Sequence, residues 1–303
     1  MEDASQPDGP TRAGFCAIIG APNAGKSTLV NELTGSKVSI VSHKVQTTRA
    51  RIRAIVMEGN AQIVLVDTPG IFTPRRALDR AMVANAWGGA GDADAVVLLV
   101  DGRPGLTPEA KEIIAHLAQT RTRPILAINK IDLMPRERLL DVAAEFNGTC
   151  PFERTFMVSA LTGSGTQDLL TYLARKMPEG PWLYPADQVA DVQLRFMAAE
   201  MTREVIYARL HEELPYASTV ETESWEEQKN GSVKIGQVIY VQRDSQKAIV
   251  LGKGGQTIKL LGQKAREEME RQFGRKVHLF LFVKVRENWA DDKERLRNMG
   301  LDV

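Results

Sequence analysis

The chain has 303 residues, of which 43% are hydrophobic and 25% are charged. At ~150 residues per domain this length predicts about two domains, and the composition excludes a disordered or collagen-like chain. Lysine and arginine number 39 and acidic residues 38, so the net charge is +1 and any strongly charged surface must be local.

The cysteines, histidines and apolar runs argue against a zinc protein, a secreted protein and a membrane-spanning protein. Cys16 and Cys150 have no C-x-x-C spacing, which is typical of free thiols in a reducing compartment. The four histidines stand too far apart to suggest a zinc site. The N-terminus lacks the basic-then-apolar order of a signal peptide, and no apolar run approaches the ~18 residues of a spanning helix. We therefore expect a soluble protein of the cytoplasm.

The first half of the chain alternates short apolar runs with helix-like stretches. The runs are typical of buried strands and occupy 16–19, 63–66, 96–100, 125–128 and 155–158. The helix-like stretches occupy 27–33, 74–87, 108–119 and 167–175. This order predicts an α/β domain with a mostly parallel sheet, helices on both faces and ligands at the carboxyl ends of the strands.

A phosphate-binding motif follows the first predicted strand. It has the pattern G-x-x-x-x-G-K-[ST] and consists of Gly20, Ala21, Pro22, Asn23, Ala24, Gly25, Lys26 and Ser27. The loop amides and the helix N-terminus would surround phosphate oxygens, Lys26 would bridge the outer phosphates, and Ser27 would ligate Mg²⁺. A chance match occurs in roughly one chain of this length in a hundred, and the flanking strand and helix reduce those odds. The sequence therefore predicts binding of a nucleoside phosphate.

A second motif, Asp67, Thr68, Pro69 and Gly70, follows the next apolar run. Asp67 can hold Mg²⁺ through water, and the Gly70 amide can meet the γ-phosphate. Taken alone, an aspartate after a strand is equally well explained as a turn residue. The loops that follow decide between these interpretations.

The third motif consists of Asn129, Lys130, Ile131 and Asp132, again at a strand end. The Asp132 carboxylate can accept hydrogen bonds from N1–H and the exocyclic amine of guanine, whereas adenine offers no such donor pair. Beyond the last strand, Ser159 and Ala160 would complete the base pocket, with the Ala160 amide facing the guanine O6. The motif therefore favours GTP over ATP.

The order of motifs in this half of the chain resembles a translation-factor-related GTPase domain. The resemblance rests on the three motifs above, the Thr47-Thr48-Arg49 stretch and Ser159-Ala160. The resemblance implies a mobile switch in which Thr48 closes on Mg²⁺ and the γ-phosphate, with Thr47 as a weaker candidate for that task. It makes Lys26, Thr48 and Gly70 the candidate catalytic residues. The candidate metal ligands are Ser27, Thr48 and Asp67.

Ile71 stands where Ras-like enzymes place the glutamine that orients the attacking water. An apolar side chain cannot orient water, so we expect slow intrinsic turnover. The water would be positioned by the backbone, by a monovalent cation such as K⁺ near Asn23, or by a partner surface. Mg²⁺ and K⁺ are therefore the candidate cofactors, and Ile71 joins the candidate nucleotide-binding residues.

The second half of the chain begins after a Pro- and Gly-containing stretch at 177–185, which predicts a linker. Apolar residues at three- and four-residue spacing then predict an amphipathic helix over about 188–213. An Asn230-Gly231 pair between two apolar stretches predicts a hairpin. The remaining predicted elements are strands at 219–228, 233–241 and 277–285 and helices at 245–251 and 257–273.

A G-x-x-G loop joins the last two helices, and this order of elements resembles a type 2 KH domain, a smaller α+β fold that clamps about four nucleotides of single-stranded RNA. The loop pattern alone is weak, since it occurs about once in a chain of this length. Residues 243–286 hold eleven basic and four acidic residues, a local +7, whereas 187–227 holds three basic and ten acidic residues, a local −7.

These charges predict a basic side that faces RNA and an acidic side turned away, and the alternative is that the basic residues merely solvate a helix. Three apolar residues would form a floor for the bases and the rest would contact the RNA backbone. The candidate RNA-binding residues are Ile249, Val250, Gly252, Lys253, Gly254, Gly255, Ile258 and Lys259.

Four segments across the domain junction and the second half, at 193–200, 213–216, 249–255 and 283–289, resemble the Era family of bacterial GTPases. The resemblance implies a GTP-hydrolysing ribosome-assembly factor that binds 16S ribosomal RNA near its 3′ end and acts in biogenesis of the small (30S) subunit. It also implies a monomer whose RNA binding is switched by GTP and GDP and which associates peripherally with the cytoplasmic face of the inner membrane.

The expected organisation is a polar extension at 1–12, a GTPase domain at 13–178, a linker at 179–191 and a KH domain at 192–303. Two other functions remain open at this point. One is a tRNA-modification GTPase, which would carry a folate-binding or cysteine-bearing domain. The other is an RNA-binding protein that retains GTP only as a structural ligand.

Overall fold

The computed structural model describes residues 9–120 and 123–301. Contacts within the chain divide it into two compact units. The first consists of the chain up to Ser39, Thr48–Asp191 and the chain from Met299, and the second of Ile40–Thr47 and Val192–Asn298. The first eight residues of the expected N-terminal extension lie outside the described part, and the expected domain boundaries stay predictions.

The first unit is built on a six-stranded sheet in the order β2-β3-β1-β4-β5-β6. All neighbouring strands are parallel except β2, which is antiparallel to β3 at one edge. The strands are β1 Arg12–Ile19, β2 Ile52–Glu58, β3 Ala61–Asp67, β4 Ala95–Asp101, β5 Ile125–Asn129 and β6 Thr155–Met157. The carboxyl ends of β1, β3 and β5 therefore lie at the same edge of the sheet, where ligands bind in such folds.

Helices cover both faces of this sheet. They are α1 Lys26–Thr34, α2 Ala77–Gly91, α3 Pro108–Leu117, α4 Arg136–Asn147 and α5 Thr166–Lys176. Because side chains alternate across a strand, Cys16 and Ile18 of β1 join a core with α1 and α5, whereas Ala17 and Ile19 join a core with α2, α3 and α4. The expected mostly parallel α/β domain is confirmed.

The apolar-run rule assigns no strand to 52–58 and no helix to 136–147, yet both segments are regular. Strand β2 lies at the sheet edge and its Arg53 is exposed, which interrupts the apolar run. Helix α4 buries only Val142 and Phe146, so its apolar face is narrow. Both elements are therefore missed when only apolar runs are read, although β2 pairs with the strand β3 that directly follows it.

The second unit contains a three-stranded sheet in the order β7-β8-β9. Strands β7 and β8 are antiparallel, and β8 and β9 are parallel. The elements are α6 Leu194–Arg209, β7 Ser218–Glu227, β8 Val233–Val241, α7 Asp244–Leu251, α8 Gln256–Phe273, β9 Val277–Val285 and α9 Lys293–Asn298. The expected order of helix, strand, strand, helix, helix and strand is confirmed, although α6 begins at Leu194 and not near 188.

Two features of the second unit explain its local folding. Gly231 has φ 80°, so it adopts the left-handed turn conformation that the Asn230-Gly231 signal predicts. Side chains of α6, α7 and α8 share hydrophobic cores with the sheet, including Ile206, Val250 and Leu261. None of the helices within 9–120 and 123–301 combines the length and the apolar character that a membrane-spanning helix requires.

Candidate nucleotide site and candidate nucleic-acid interface

The phosphate loop lies between β1 and α1 and comes into close contact with two other loops. A Cβ added to Gly20 would lie 2.2 Å from the Leu99 carbonyl oxygen, and one added to Gly25 would lie 2.3 Å from Asn129 Nδ2. Gly25 also has φ 101°, which glycine adopts without strain. Because α1 begins at Lys26, its first backbone amides open toward the loop and form an anion site.

Lys26 is buried beneath this loop. In the structure its ammonium donates to the carbonyl oxygens of Gly20 at 3.1 Å and Ala21 at 3.0 Å. Burial lowers the pKa of Lys26 to about 8, and the nearby Asp67 carboxylate only partly opposes that effect. A bound phosphate would favour the charged form.

Asp67, at the end of β3, joins two hydroxyls in a compact oxygen cluster. Ser27 Oγ and Thr48 Oγ1 are 2.8 Å apart, and Thr48 Oγ1 donates to Asp67 Oδ2 at 3.4 Å. The other carboxylate oxygen, Asp67 Oδ1, is buried without a hydrogen-bond partner among the described residues. Burial raises the pKa of Asp67, against the hydrogen bond from Ser27 and the charge of Lys26.

This cluster fits Mg²⁺. An unpartnered buried carboxylate oxygen beside two hydroxyls is a set of hard oxygen donors, and Mg²⁺ prefers such donors and completes its shell with water and phosphate. Among the described residues there is no group of three or more His, Cys, Asp or Glu side chains that could hold a metal. The alternative switch residue, Thr47, directs its hydroxyl to the Lys44 carbonyl oxygen at 2.6 Å.

The loop after β3 packs directly on the phosphate loop. A Cβ added to Gly70 would lie 2.9 Å from Pro22 Cγ, so this position requires a glycine for close approach. The Ile71 amide donates to the Gly20 carbonyl oxygen at 3.0 Å, and its side chain is buried in the core shared with α2. Thr68 Oγ1 donates to the Ile18 carbonyl oxygen at 2.7 Å. The Ile71 side chain therefore packs in the core and offers no polar group to a nucleotide or a water molecule.

Asn129 fastens the candidate base-binding loops to the phosphate loop. Its Nδ2 donates to the Ala24 carbonyl oxygen at 2.8 Å, and its Oδ1 accepts from the Ala160 amide at 2.9 Å. The Ala160 amide, expected to face guanine O6, is thus bonded to Asn129, because the buried Asn129 oxygen needs a donor. Ser159 Oγ donates to Asp132 Oδ1 at 2.6 Å and orients the carboxylate that is expected to bind guanine.

Lys130 is held by a residue that the motifs do not include. Its ammonium donates to the Asn23 carbonyl oxygen at 2.7 Å and to Asp101 Oδ2 at 2.8 Å. Asp101 ends strand β4, so it carries the same sequence signal as Asp67, an aspartate after an apolar run. Ile131 follows in a short 3-10 turn and is partly exposed.

The G-x-x-G loop in the second unit joins α7 to α8 through a 3-10 turn. Gly252, Gly254 and Gly255 all have φ between 61° and 77°. A Cβ added to Gly252 would lie 2.1 Å from Thr257 Oγ1, whereas Gly254 and Gly255 face open space. The loop therefore presents bare backbone that another backbone could approach closely.

The apolar residues beside this loop are not equivalent. The Ile249 side chain is exposed and Ile258 is partly exposed, so both can contact a ligand. Val250 is 0% exposed and packs in the hydrophobic core, so its expected place in the floor for the bases is corrected. It supports the loop from below.

Charge in the second unit is less segregated than the sequence predicts. Several acidic side chains of β7 pair with basic ones of the sheet and the turn before β9: Glu223 with Lys284 at 3.1 Å, Glu226 with Lys234 at 3.3 Å and Glu227 with Arg275 at 2.6 Å. Lys253 and Lys259, at the loop, are exposed and have no acidic partner within the described parts of the chain. Positive charge is therefore available to a ligand beside the glycines.

Comparison with known proteins identifies a GTPase domain and a KH domain in this chain. A family model described as 50S ribosome-binding GTPase matches residues 15–130, and a KH domain model matches residues 213–290. The GTPase Era of Rhizobium meliloti is 62% identical over 97% of this chain and 94% of its own length. The GTPase Era of Afipia carboxidovorans is 64% identical over 97% and 95%. The chain belongs to the Era family of GTPases.

Solved Era structures share the whole architecture. A point variant of Aquifex aeolicus Era bound to GDP·AlF₄⁻ superposes with a TM-score of 0.91, at 35% identity over 96% of this chain and 99% of that one. An Era structure in complex with MgGDPNP and nucleotides 1506–1542 of 16S ribosomal RNA also has a TM-score of 0.91, at 36% identity with the same coverage. This chain is thus a P-loop GTPase of the Era family with a type 2 KH domain.

Nucleotide binding to this Era-family GTPase should take up a proton at alkaline pH. At pH 8 about half of the nucleotide-free molecules carry a neutral Lys26, because the pKa of Lys26 is about 8. Phosphates stabilise the ammonium form, so Mg·GDP binding should take up roughly half a proton at pH 8 and roughly a tenth at pH 7, and affinity should fall as the pH rises above 8. Calorimetric titrations in buffers of different ionisation enthalpy measure this uptake. No uptake at pH 8 would contradict the assignment of Lys26.

Proposed function

We propose that this Era-family GTPase is a nucleotide-controlled RNA-binding protein. Its first unit binds GTP and hydrolyses it, and the bound nucleotide determines how strongly the second unit holds RNA. The observation that carries the proposal is the presence of two sites on one chain. A closed phosphate loop joined to the base-binding loops through Asn129 forms one, and an exposed glycine loop with exposed lysines forms the other.

In the first site, we assign binding of Mg²⁺ to Ser27 and Asp67, which Thr48 joins when the γ-phosphate is present. When bound, the ion supplies positive charge that stabilises the outer phosphates. The Lys26 ammonium exchanges its two carbonyl acceptors for phosphate oxygens and stabilises charge that develops during transfer of the phosphoryl group. We assign binding of the γ-phosphate to the amide of Gly70, which lies close to Pro22 of the phosphate loop. Asp132, oriented by Ser159, accepts from guanine.

In the second site, we assign RNA contact to the loop at 252–255 with Ile249, Ile258 and Lys259. The glycines allow the RNA backbone to approach, the lysines supply charge, and the exposed isoleucines offer apolar surface to bases. Without a side chain at Gly254 and Gly255, nothing blocks that approach.

The RNA that we propose is the 3′ end of 16S ribosomal RNA, within biogenesis of the small subunit. Support comes from the Era structure that holds nucleotides 1506–1542 of that RNA and shares 36% identity with this chain. The description of the matching GTPase family model names the large (50S) ribosomal subunit, whereas 16S RNA belongs to the small subunit. From the family resemblance we further propose a cytoplasmic monomer that associates peripherally with the inner membrane.

Two alternatives lead to different expectations. A tRNA-modification GTPase would use its partner domain for base chemistry, whereas the second unit here is a KH domain. An RNA-binding protein with a purely structural nucleotide would retain GTP without turnover. The geometry favours a switch. Thr48 lies in the oxygen cluster of the first unit, whereas the residues that directly precede it, 40–47, belong to the second unit.

Single-turnover hydrolysis should be slow and should depend on K⁺. Ile71 is buried and cannot orient water, so we expect hydrolysis to quicken by roughly tenfold when K⁺ replaces Na⁺, and Asn23→Ala should abolish that difference. Radiolabelled GTP, loaded once and followed with and without RNA, measures the rate. If GTP is not hydrolysed under any condition, the structural-nucleotide alternative is supported. If the hydrolysis rate changes neither with K⁺ nor with Asn23→Ala, a monovalent cation near Asn23 does not position the attacking water.

RNA affinity should change with the bound nucleotide. Fluorescence anisotropy of a labelled 16S 3′-end oligonucleotide should give at least a roughly fivefold difference in Kd between the GTP-analogue and GDP states. The double variant Lys253→Asp/Gly254→Asp should lose RNA binding in both states yet keep its GTP affinity. Loss of both activities would indicate unfolding, which circular dichroism detects. Equal RNA affinity in all nucleotide states of the unaltered protein would contradict the proposed switch.

A further inference from the structure

Residues 40–47, which lead into the switch threonine, are packed along helix α6 of the second unit. The Val41 amide donates to Glu204 Oε1 at 2.9 Å. The Lys44 ammonium donates to the carbonyl oxygens of Tyr207 and Leu210, at the C-terminal end of α6. A cation at that end is favoured by the helix dipole and satisfies carbonyls that have no partner within the helix.

Arg203 is the centre of this contact. Its side chain is 1% exposed, and its guanidinium binds the Glu200 carboxylate through Nε at 2.8 Å and through Nη2. The same group donates to the carbonyl oxygens of Gln46, at 3.4 Å, and Thr47. Tyr207 also donates to Gln46 through its hydroxyl, at 3.2 Å. These bonds use the planar fork of arginine, which offers five donors in fixed directions.

The backbone at Gln46 is held in an uncommon conformation. Its φ is 59°, in the left-handed region that residues other than glycine rarely adopt. Such a conformation persists only where the surroundings determine it, and here Arg203 and Tyr207 bind the carbonyl of that same residue. The contact therefore fixes the direction in which the chain leaves toward Thr48.

Thr47 and Thr48 share one rigid peptide unit. The carbonyl of Thr47, which Arg203 binds, and the nitrogen of Thr48 lie in the same planar group. The hydroxyl of Thr48 in turn lies beside Ser27 Oγ and Asp67 Oδ2. A displacement of the Thr48 Cα atom therefore moves the peptide group that Arg203 holds, and a displacement of that group moves the Thr48 Cα atom.

We propose that Arg203, anchored by Glu200, is a positioning residue. It keeps the Thr48 hydroxyl in the oxygen cluster that fits Mg²⁺ and so favours binding of the triphosphate over the diphosphate. The inference rests on the proposed role of Thr48 at Mg²⁺ and the γ-phosphate. Helix α6 belongs to the RNA-binding unit, so Arg203 is also the route by which RNA binding and GTP binding influence each other.

A purely structural role for Arg203 is the competing explanation, since a buried ion pair stabilises or destabilises a fold without regard to ligand. The two explanations differ in what they predict for nucleotides. A structural role lowers the affinity for GTP and GDP together, or neither. A positioning role lowers the affinity for the triphosphate alone, because only that ligand requires Thr48.

The test uses the full chain with Arg203→Lys. Lysine keeps the charge that Glu200 requires, but a single ammonium cannot reach the carboxylate and both carbonyls. We expect affinity for Mg·GDP to stay within about twofold of the unaltered protein and affinity for a non-hydrolysable Mg·GTP analogue to fall by about fivefold or more. The matched control is Arg209→Lys, an exposed arginine on the same helix, which should change neither affinity.

A second variant covers the case in which Arg203→Lys fails to fold. Tyr207→Phe removes one donor to Gln46 and leaves the buried ion pair intact, and it should lower the triphosphate affinity in the same direction. Hydrogen exchange of residues 44–48 should quicken in both variants when the GTP analogue is bound.

The positioning role of Arg203 would be overturned if the affinities for GDP and the GTP analogue fell equally. It would also be overturned if neither affinity fell in either variant. The RNA measurement separates this result from the proposed switch. If the unaltered protein shows no dependence of RNA affinity on nucleotide, the switch fails, whereas the ratio of triphosphate to diphosphate affinity still tests Arg203. If the unaltered protein shows that dependence and Arg203→Lys retains it in full, the route through α6 is wrong.

Discussion

The nucleotide site depends on one buried carboxylate that the protein alone does not satisfy. Asp67 is 0% exposed, and its Oδ1 has no hydrogen-bond partner in the described structure. Burying such a charge costs free energy, which the Thr48 hydroxyl and the Lys26 charge offset in part and a bound cation would offset further. The same requirement explains why Ser27 and Thr48 direct hydroxyls to this point and why Lys26 is buried nearby. The site is therefore built for a metal-bound polyphosphate.

The base side of the site and its phosphate side differ in how they are held. Asn129 is buried and bonds both the phosphate loop and the Ala160 amide, so the base pocket forms as part of the fold of the first unit. Thr48, in contrast, follows a segment that packs on helix α6 of the second unit. Under the proposed assignments, this arrangement would give guanine recognition a fixed frame and leave the γ-phosphate contact adjustable. The proposed switch requires both properties.

The sequence predicted best those features that local backbone chemistry dictates. Gly25 at φ 101° and the helix that begins at Lys26 follow from the phosphate-loop spacing, and Gly252 follows from the turn between α7 and α8. Long-range contacts could not be predicted in this way. Val250 has the same apolar character as Ile249, and only the packing of α7 shows that one is buried and the other exposed. No motif or apolar spacing marks Arg203, and its carbonyl acceptor at Thr47 is 156 residues away, so its contact with the switch segment could not be predicted.

The most direct test of the account is the stability of Asp67→Asn with and without ligand. Because the protein alone compensates the buried charge of Asp67 only in part, the nucleotide-free variant should be more stable than the unaltered protein, by on the order of 1 kcal/mol. The rise in unfolding temperature on adding an Mg·GTP analogue should nearly disappear in the variant. A variant that is less stable without ligand and is still fully stabilised by the analogue would contradict the central role of this carboxylate.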